Sequence, residues 1–278
     1  MSDNTSILKK YQRQPKLYID LPSQGKYYSE GSLTKHEEIE VYSMTASDEI
    51  IIKTPDALLN GEATARIIAN CVPSIKDPWQ IPITDIYTIL SAIRLASYGD
   101  SYELAGNCPK CKETNNYGIS LQNAIEYFRN IKYVDFIKED DFEFYFRPQT
   151  YREFTNTNRE MFKLQRQLTQ HVNAIDDPEK KDQEMQKLFD ALSKIRVETV
   201  LKTVEKICID GEEESRWAEI VEFISTSDKK YYNAIEKITV SNNNNFAIPP
   251  AKVNCVSCNE QYELPVELDH SNFFANSL

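Results

Sequence analysis

A chain of 278 residues and 32.2 kDa is larger than one simple domain, so it has room for a compact domain carrying a sizeable insertion, or for two small domains. A net charge of −11 and a pI near 4.9 set the average surface against polyanions, because nucleic-acid affinity rests on Lys and Arg releasing counterions from phosphates. Seven glycines disfavour phosphate cradles and dinucleotide-binding units, which need glycine at fixed turns, whereas 16 Tyr and 12 Phe argue for a folded chain with a real core.

Residues 1–20 are polar and basic (Lys9, Lys10, Arg13, Lys16) and read as a flexible arm ending in the turn Leu21-Pro22-Ser23-Gln24-Gly25. No apolar signal core follows Met1, and no stretch approaches the roughly 18 apolar residues of a membrane span, so a reducing cytoplasmic setting without membrane contact is expected. Ile39 to Met44 alternate as a strand, and a helix should begin near Thr45 or Ser47, with Asp48 and Glu49 in its first turn. Residues 57–70 fit a helix. The range 84–98 fits a cleaner one, capped by Thr84 and Asp85 and stopping at Gly99.

Tyr102 to Leu104 and Tyr117 to Leu121 read as the arms of a small hairpin around Cys108-Pro109-Lys110-Cys111. Val134 to Ile137 and Phe142 to Phe146 suggest a second hairpin. Two apolar stripes follow, through Met161, Leu164 and Leu168 and then through Met185, Leu188, Leu192 and Ile195. With Asp176-Asp177-Pro178 between them, they predict a helical hairpin. Further helices are expected at about 215–225 and 228–238. Asn242 to Asn245 and Ile248-Pro249-Pro250 read as a disordered linker returning the chain to Cys255-Val256-Ser257-Cys258.

Two CxxC pairs flanked by strand-like residues carry the chemistry. Each spacing lets two thiolates of one tight turn face a single ion, and tetrahedral Zn²⁺ takes four such soft ligands. Cys108, Cys111, Cys255 and Cys258 are therefore predicted to bind one structural zinc as the two knuckles of a ribbon. The competing readings are unmetallated turns and a redox dithiol, and the latter lacks a first cysteine at a helix N-terminus. The 143 residues between Cys111 and Cys255 are long for a ribbon. Closing such a loop costs roughly 4 kcal/mol, against apparent zinc affinities on the order of 10–16 kcal/mol in finger peptides, so closure is feasible. Cys71 and Cys208 fall in apolar helical patterns and are expected to be buried structural thiols.

His36, His171 and His270 fall in unrelated contexts, and no GxSxG, Walker or HExxH motif is present. The run Glu212-Glu213-Glu214 reads as a solvated face. With no nucleophile, base or open metal to name, the chain is expected not to be an enzyme and to take no small-molecule substrate.

Leu21-Pro22-Ser23-Gln24-Gly25-Lys26-Tyr27-Tyr28, then Met44-Thr45-Ala46 with Asp48-Glu49, then Leu58-Leu59-Asn60-Gly61, form an ordered set of motifs. Ile93-Arg94-Leu95-Ala96-Ser97-Tyr98-Gly99 leads into the first CxxC, and the second is followed by Phe273-Phe274. Together they resemble the T-even-type phage baseplate hub proteins also described as baseplate hub assembly chaperones, over about residues 18–121 and 250–275. The resemblance implies a part in building the hub of a contractile tail, with other tail and baseplate hub proteins as partners, in the host cytoplasm or in the virion. Tyr27, Tyr28, Phe273 and Phe274 are the candidate partner anchors, set against simple packing on the ribbon.

These readings combine into an α+β fold: a zinc-ribbon domain from 21–121 and 250–278, a mainly helical insertion over 122–249, and the arm at 1–20. The rival of another class is a zinc-ribbon nucleic-acid or transcription accessory protein, which a basic face near Lys110, Lys112 and Lys252 would favour.

Overall fold

A computed structural model describes residues 13–53, 61–170, 172, 175 and 177–266. The chain is α+β, and it divides into two compact units. One is drawn from Met1–Pro78, Asp85–Asn130 and Ile248–Leu278, the other from Trp79–Thr84 and Ile131–Ala247.

In the first unit, β1 (Leu17–Ile19) pairs antiparallel with β2 (Ile39–Val41), Leu17 opposite Val41. Residues 17–19 of the segment read as an arm thus form a strand. Arg13 donates to the carbonyls of Ser43 and Asn70, which ties the chain down before the strand begins. Helix α1 (Ala46–Ile52) starts at Thr45, whose hydroxyl accepts from the Asp48 amide while the Asp48 carboxylate accepts from the Thr45 amide. This reciprocal pair satisfies two amides that the first turn leaves without partners. Helix α2 (Glu62–Cys71) follows Gly61, whose φ of 76° suits glycine at that entry. Of the expected helix over 57–70, residues 57–60 lie outside the described residues.

Helix α3 (Ile83–Tyr98) begins before its expected caps, so Thr84 and Asp85 lie inside it and are buried. Asp85 instead accepts from the Ser23 amide (2.8 Å) and the Ser23 hydroxyl, pinning the Leu21–Gly25 turn onto the helix. The core of this unit is aliphatic: Ile39, Val41, Ile67, Ile68, Ile86, Ile89 and Ile93 are almost fully enclosed. Two hairpins complete it. Strands β3 (Ser101–Asn107) and β4 (Thr114–Ser120) form one, followed by α4 (Leu121–Arg129).

The second unit is not helical alone. Strands β5 (Phe136–Glu139) and β6 (Phe142–Phe146) make the expected hairpin, and two further strands extend it. These are β7 (Val204–Ile209) and β8 (Glu212–Glu214), giving an antiparallel sheet in the order β5-β6-β7-β8. Helices α5 (Tyr151–Gln170) and α6 (Pro178–Leu201) pack side by side as the predicted hairpin, with Asp177 capping the second. Helices α7 (Trp217–Thr226) and α8 (Lys229–Asn245) cover an aromatic and aliphatic core of Phe144, Phe146, Leu201, Ile207, Ile220 and Ile235.

The structure overturns two local expectations and adds to a third. Asn242–Asn245, read as a linker, is the last turn of α8: Asn242 is 2% exposed, and its amide side chain both accepts from the Val134 N–H (3.0 Å) and donates to the Val134 carbonyl (2.9 Å). Cys208 lies half-buried on strand β7 rather than in a helix. The glutamate run is solvated, yet it is also the edge strand β8, where charge discourages further strand pairing. The remaining hairpin, β9 (Ala251–Asn254) with β10 (Gln261–Leu264), belongs to the first unit.

Candidate metal centre

Both CxxC turns sit at hairpin tips, Cys108–Cys111 between β3 and β4 and Cys255–Cys258 between β9 and β10. The two tips are built alike. The Cys108 amide donates to the Glu113 carbonyl (2.9 Å) and the Lys112 amide to the Cys108 carbonyl (3.0 Å); the Cys255 amide donates to Glu260 (2.8 Å) and the Asn259 amide to Cys255 (2.9 Å). Lys112 and Asn259 share a left-handed backbone, with φ of 64° and 59°. Behind this equivalence is a six-residue repeat, Cys-x-x-Cys-x-Glu, that runs past the second cysteine of each pair.

The four sulfurs converge. All lie within 4.8 Å of one another, with Cys108 Sγ 3.6 Å from Cys258 Sγ and Cys111 Sγ 3.5 Å from Cys255 Sγ. Four sulfurs around one ion at bonds of about 2.3 Å would be spaced by about 3.8 Å, so the set has the size of a tetrahedral thiolate site. Each tip also aims backbone amides at its first sulfur. For Cys255, the amides of Cys258 and then Ser257 favour the thiolate and bring its pKa down to about 6. For Cys108, the Cys111 and Lys110 amides act in the same direction. For Cys111 the Glu113 amide also favours the thiolate, but burial and the neighbouring sulfurs prevail and push its thiol up to about 12. Four thiolates this close repel one another, and a divalent cation would remove that repulsion.

The hairpins meet through more than sulfur. The Tyr117 hydroxyl donates to the Asn254 carbonyl (3.1 Å) and accepts from the Tyr262 hydroxyl (3.2 Å), the two rings meeting edge-on. Lys110 pairs with Glu260 at 2.9 Å. A side chain at Gly106 would collide with Leu264, its Cβ falling 2.6 Å from Leu264 Cδ1, so glycine is what lets β3 approach β10.

The other candidates are placed differently. Tyr27 and Tyr28 are half-buried; the Lys26 ammonium lies over the Tyr27 ring, and burial, then the Asp85 carboxylate, raises the Tyr28 hydroxyl well above its usual pKa. Phe273, Phe274, His171 and His270 lie outside the described residues. His36 lies against Gly25. Cys71 is enclosed, and burial pushes its thiol up to about 12. Sequence reading missed Asn115, whose buried side chain reaches Cys255 Sγ at 3.5 Å, and the Glu113 and Glu260 carbonyls that close the tips. The Cys-x-x-Cys-x-Glu repeat was the available signal for the carbonyls. A lone Asn beyond it gave none.

A model of the family described as T4 bacteriophage base plate protein matches residues 14–275, which takes in both cysteine tips and everything between them. No curated protein and no solved structure matches the chain. Among the described residues, no helix is long and apolar enough to cross a membrane.

Proposed function

The chain belongs to the T4 bacteriophage base plate protein family, and from that premise we propose that it helps to build the baseplate hub, as an assembly factor or minor structural subunit, through protein contacts and with one structural zinc ion. The observation that carries this reading is the continuous family match over 14–275. A local zinc-ribbon likeness would cover the tips alone, whereas this match includes the long segment between them.

Zinc suits the donor set. Four thiolates form a soft, closed shell that selects Zn²⁺ over hard cations such as Mg²⁺ and Ca²⁺. With Cys108, Cys111, Cys255 and Cys258 as ligands, the ion cross-links the two hairpin tips and so joins segments far apart in sequence. We read 21–121 and 250–278 as one zinc-ribbon domain, and 122–249 as an insertion free to meet other hub proteins. Tyr27, Tyr28, Phe273 and Phe274 remain the proposed anchors, and the host cytoplasm and the finished virion the proposed locations.

The nucleic-acid reading is weaker on the same geometry. It needs a continuous cationic face, but Lys110 is engaged by Glu260, and Lys252 stands opposite Glu263 in the β9–β10 register.

Two measurements test the proposal. A phage unable to make the chain should accumulate tails or baseplates arrested at the hub, and mass spectrometry of purified wild-type virions then separates a resident subunit from a departing assembly factor. Complete baseplates and infectious particles without the chain would overturn the role. Metal analysis of purified protein should give about one zinc per chain.

A further inference from the structure

The two cysteine tips repeat one another as far as Glu113 and Glu260, and beyond those glutamates the repeat ends. Two residues past them, Asn115 follows the first tip and Tyr262 the second. Asn115 lies on β4 and is buried. Its side-chain nitrogen donates to the Glu113 carbonyl at 3.3 Å and to Cys255 Sγ at 3.5 Å. The Glu113 carbonyl is also the acceptor that closes the first tip by taking the Cys108 amide. One amide group therefore connects the backbone of the first tip to a sulfur of the second. At the matching place Tyr262 sends its hydroxyl to Tyr117 instead.

We propose that Asn115 is a positioning residue of the metal centre: its N–H···S bond fixes the direction of the Cys255 thiolate and makes the four ligands unequal, Cys255 being the most firmly held. The proposal rests on the zinc reading above. Cys255 Sγ then takes a side-chain donor carried by the hairpin of the opposite tip. A donor on the sulfur restricts which lone pair faces the ion and withdraws electron density from it. Groups that orient a ligand in this way typically change metal affinity by about 10–100-fold when removed. The side chain also has little freedom to move, because it is enclosed and its second N–H is committed to Glu113.

The test uses the full chain loaded with zinc or with ¹¹³Cd. Asn115→Leu keeps the branching at Cγ and loses the donor; Asn115→Asp keeps the shape and sets an acceptor against the sulfur. Both should hand zinc to EDTA at least about tenfold faster than wild type, with Asn115→Asp the faster. In the wild-type cadmium form, a scalar coupling between ¹¹³Cd and an Asn115 side-chain amide proton is expected, carried through the N–H···S bond. That coupling needs no variant, so a misfolded substitution does not blunt the test. Equal transfer rates in folded variants, or no coupling in the wild type, would overturn the proposal. If wild-type protein held no metal at all, the zinc reading would fail instead. Slow solvent exchange of the Asn115 amide protons, lost in Cys255→Ala, would then still show the amide directed at that sulfur.

Discussion

The cysteine tips and the four-stranded sheet of the second unit reach order by different physical means. Strands β3 and β4 carry Asn107, Thr114, Asn115 and Asn116 near their tips, a polar composition that buries little apolar surface. Their convergence with β9 and β10 depends on four sulfurs, a Tyr–Tyr contact and a few hydrogen bonds. The β5–β8 sheet instead buries Phe144, Phe146 and Ile207 against α6, α7 and α8. Where a segment is too polar to form a core, metal ligation can replace burial, whereas a sheet with aromatic residues on its inner face needs no ion.

On the zinc reading proposed above, removing the metal is the largest perturbation that should separate the two. Chelation, or Cys255→Ser, is expected to abolish zinc binding and expose 248–266 to protease, while near-ultraviolet dichroism from the second unit's aromatic cluster persists. Loss of both signals together would show that the units do not respond separately. The converse experiment is Phe144→Ala. Phe144 is fully enclosed, so truncation should cost about 3–5 kcal/mol in denaturant unfolding of the second unit, with zinc content per chain unchanged.

The smallest expected effect sharpens the account of how the helical hairpin is seated. Glu153 accepts from Arg147 through both oxygens (2.7 and 2.8 Å) and from the Thr150 amide (2.9 Å), capping α5. Burial alone would raise its pKa, but the Arg147 guanidinium and the Thr150 amide outweigh that and hold it below the usual carboxylate value. A carboxylate with a depressed folded pKa stabilises above its unfolded value, near 4.3, and loses that contribution as pH falls through the folded value. Glu153→Gln should therefore cost about 1 kcal/mol at pH 7, and the gap from wild type should close below about pH 4 in thermal unfolding.

Much of this molecule could be read from its residues. The helix start near Thr45, the helical hairpin and the four-cysteine cluster all follow from spacing, because each depends on groups within a few residues or on a donor type that admits few partners. Strands β7 and β8 were not legible, because Glu212–Glu214 carries no apolar alternation, and β7 finds its place only by pairing with β6 across the intervening helices. The fate of Asn242 was equally hidden: an Asn-rich run has the composition of a linker until Val134 presents an unpaired backbone amide and carbonyl to it.

By itself the sequence determined which atoms can hold an ion and where the helical hairpin folds, since both are properties of local chemistry. Only the tertiary structure decided that the two tips face each other, that Gly106 lets β3 approach β10, and that Asn115 reaches across to Cys255. Those outcomes depend on distances between residues 140 or more positions apart, and no local preference encodes such a distance.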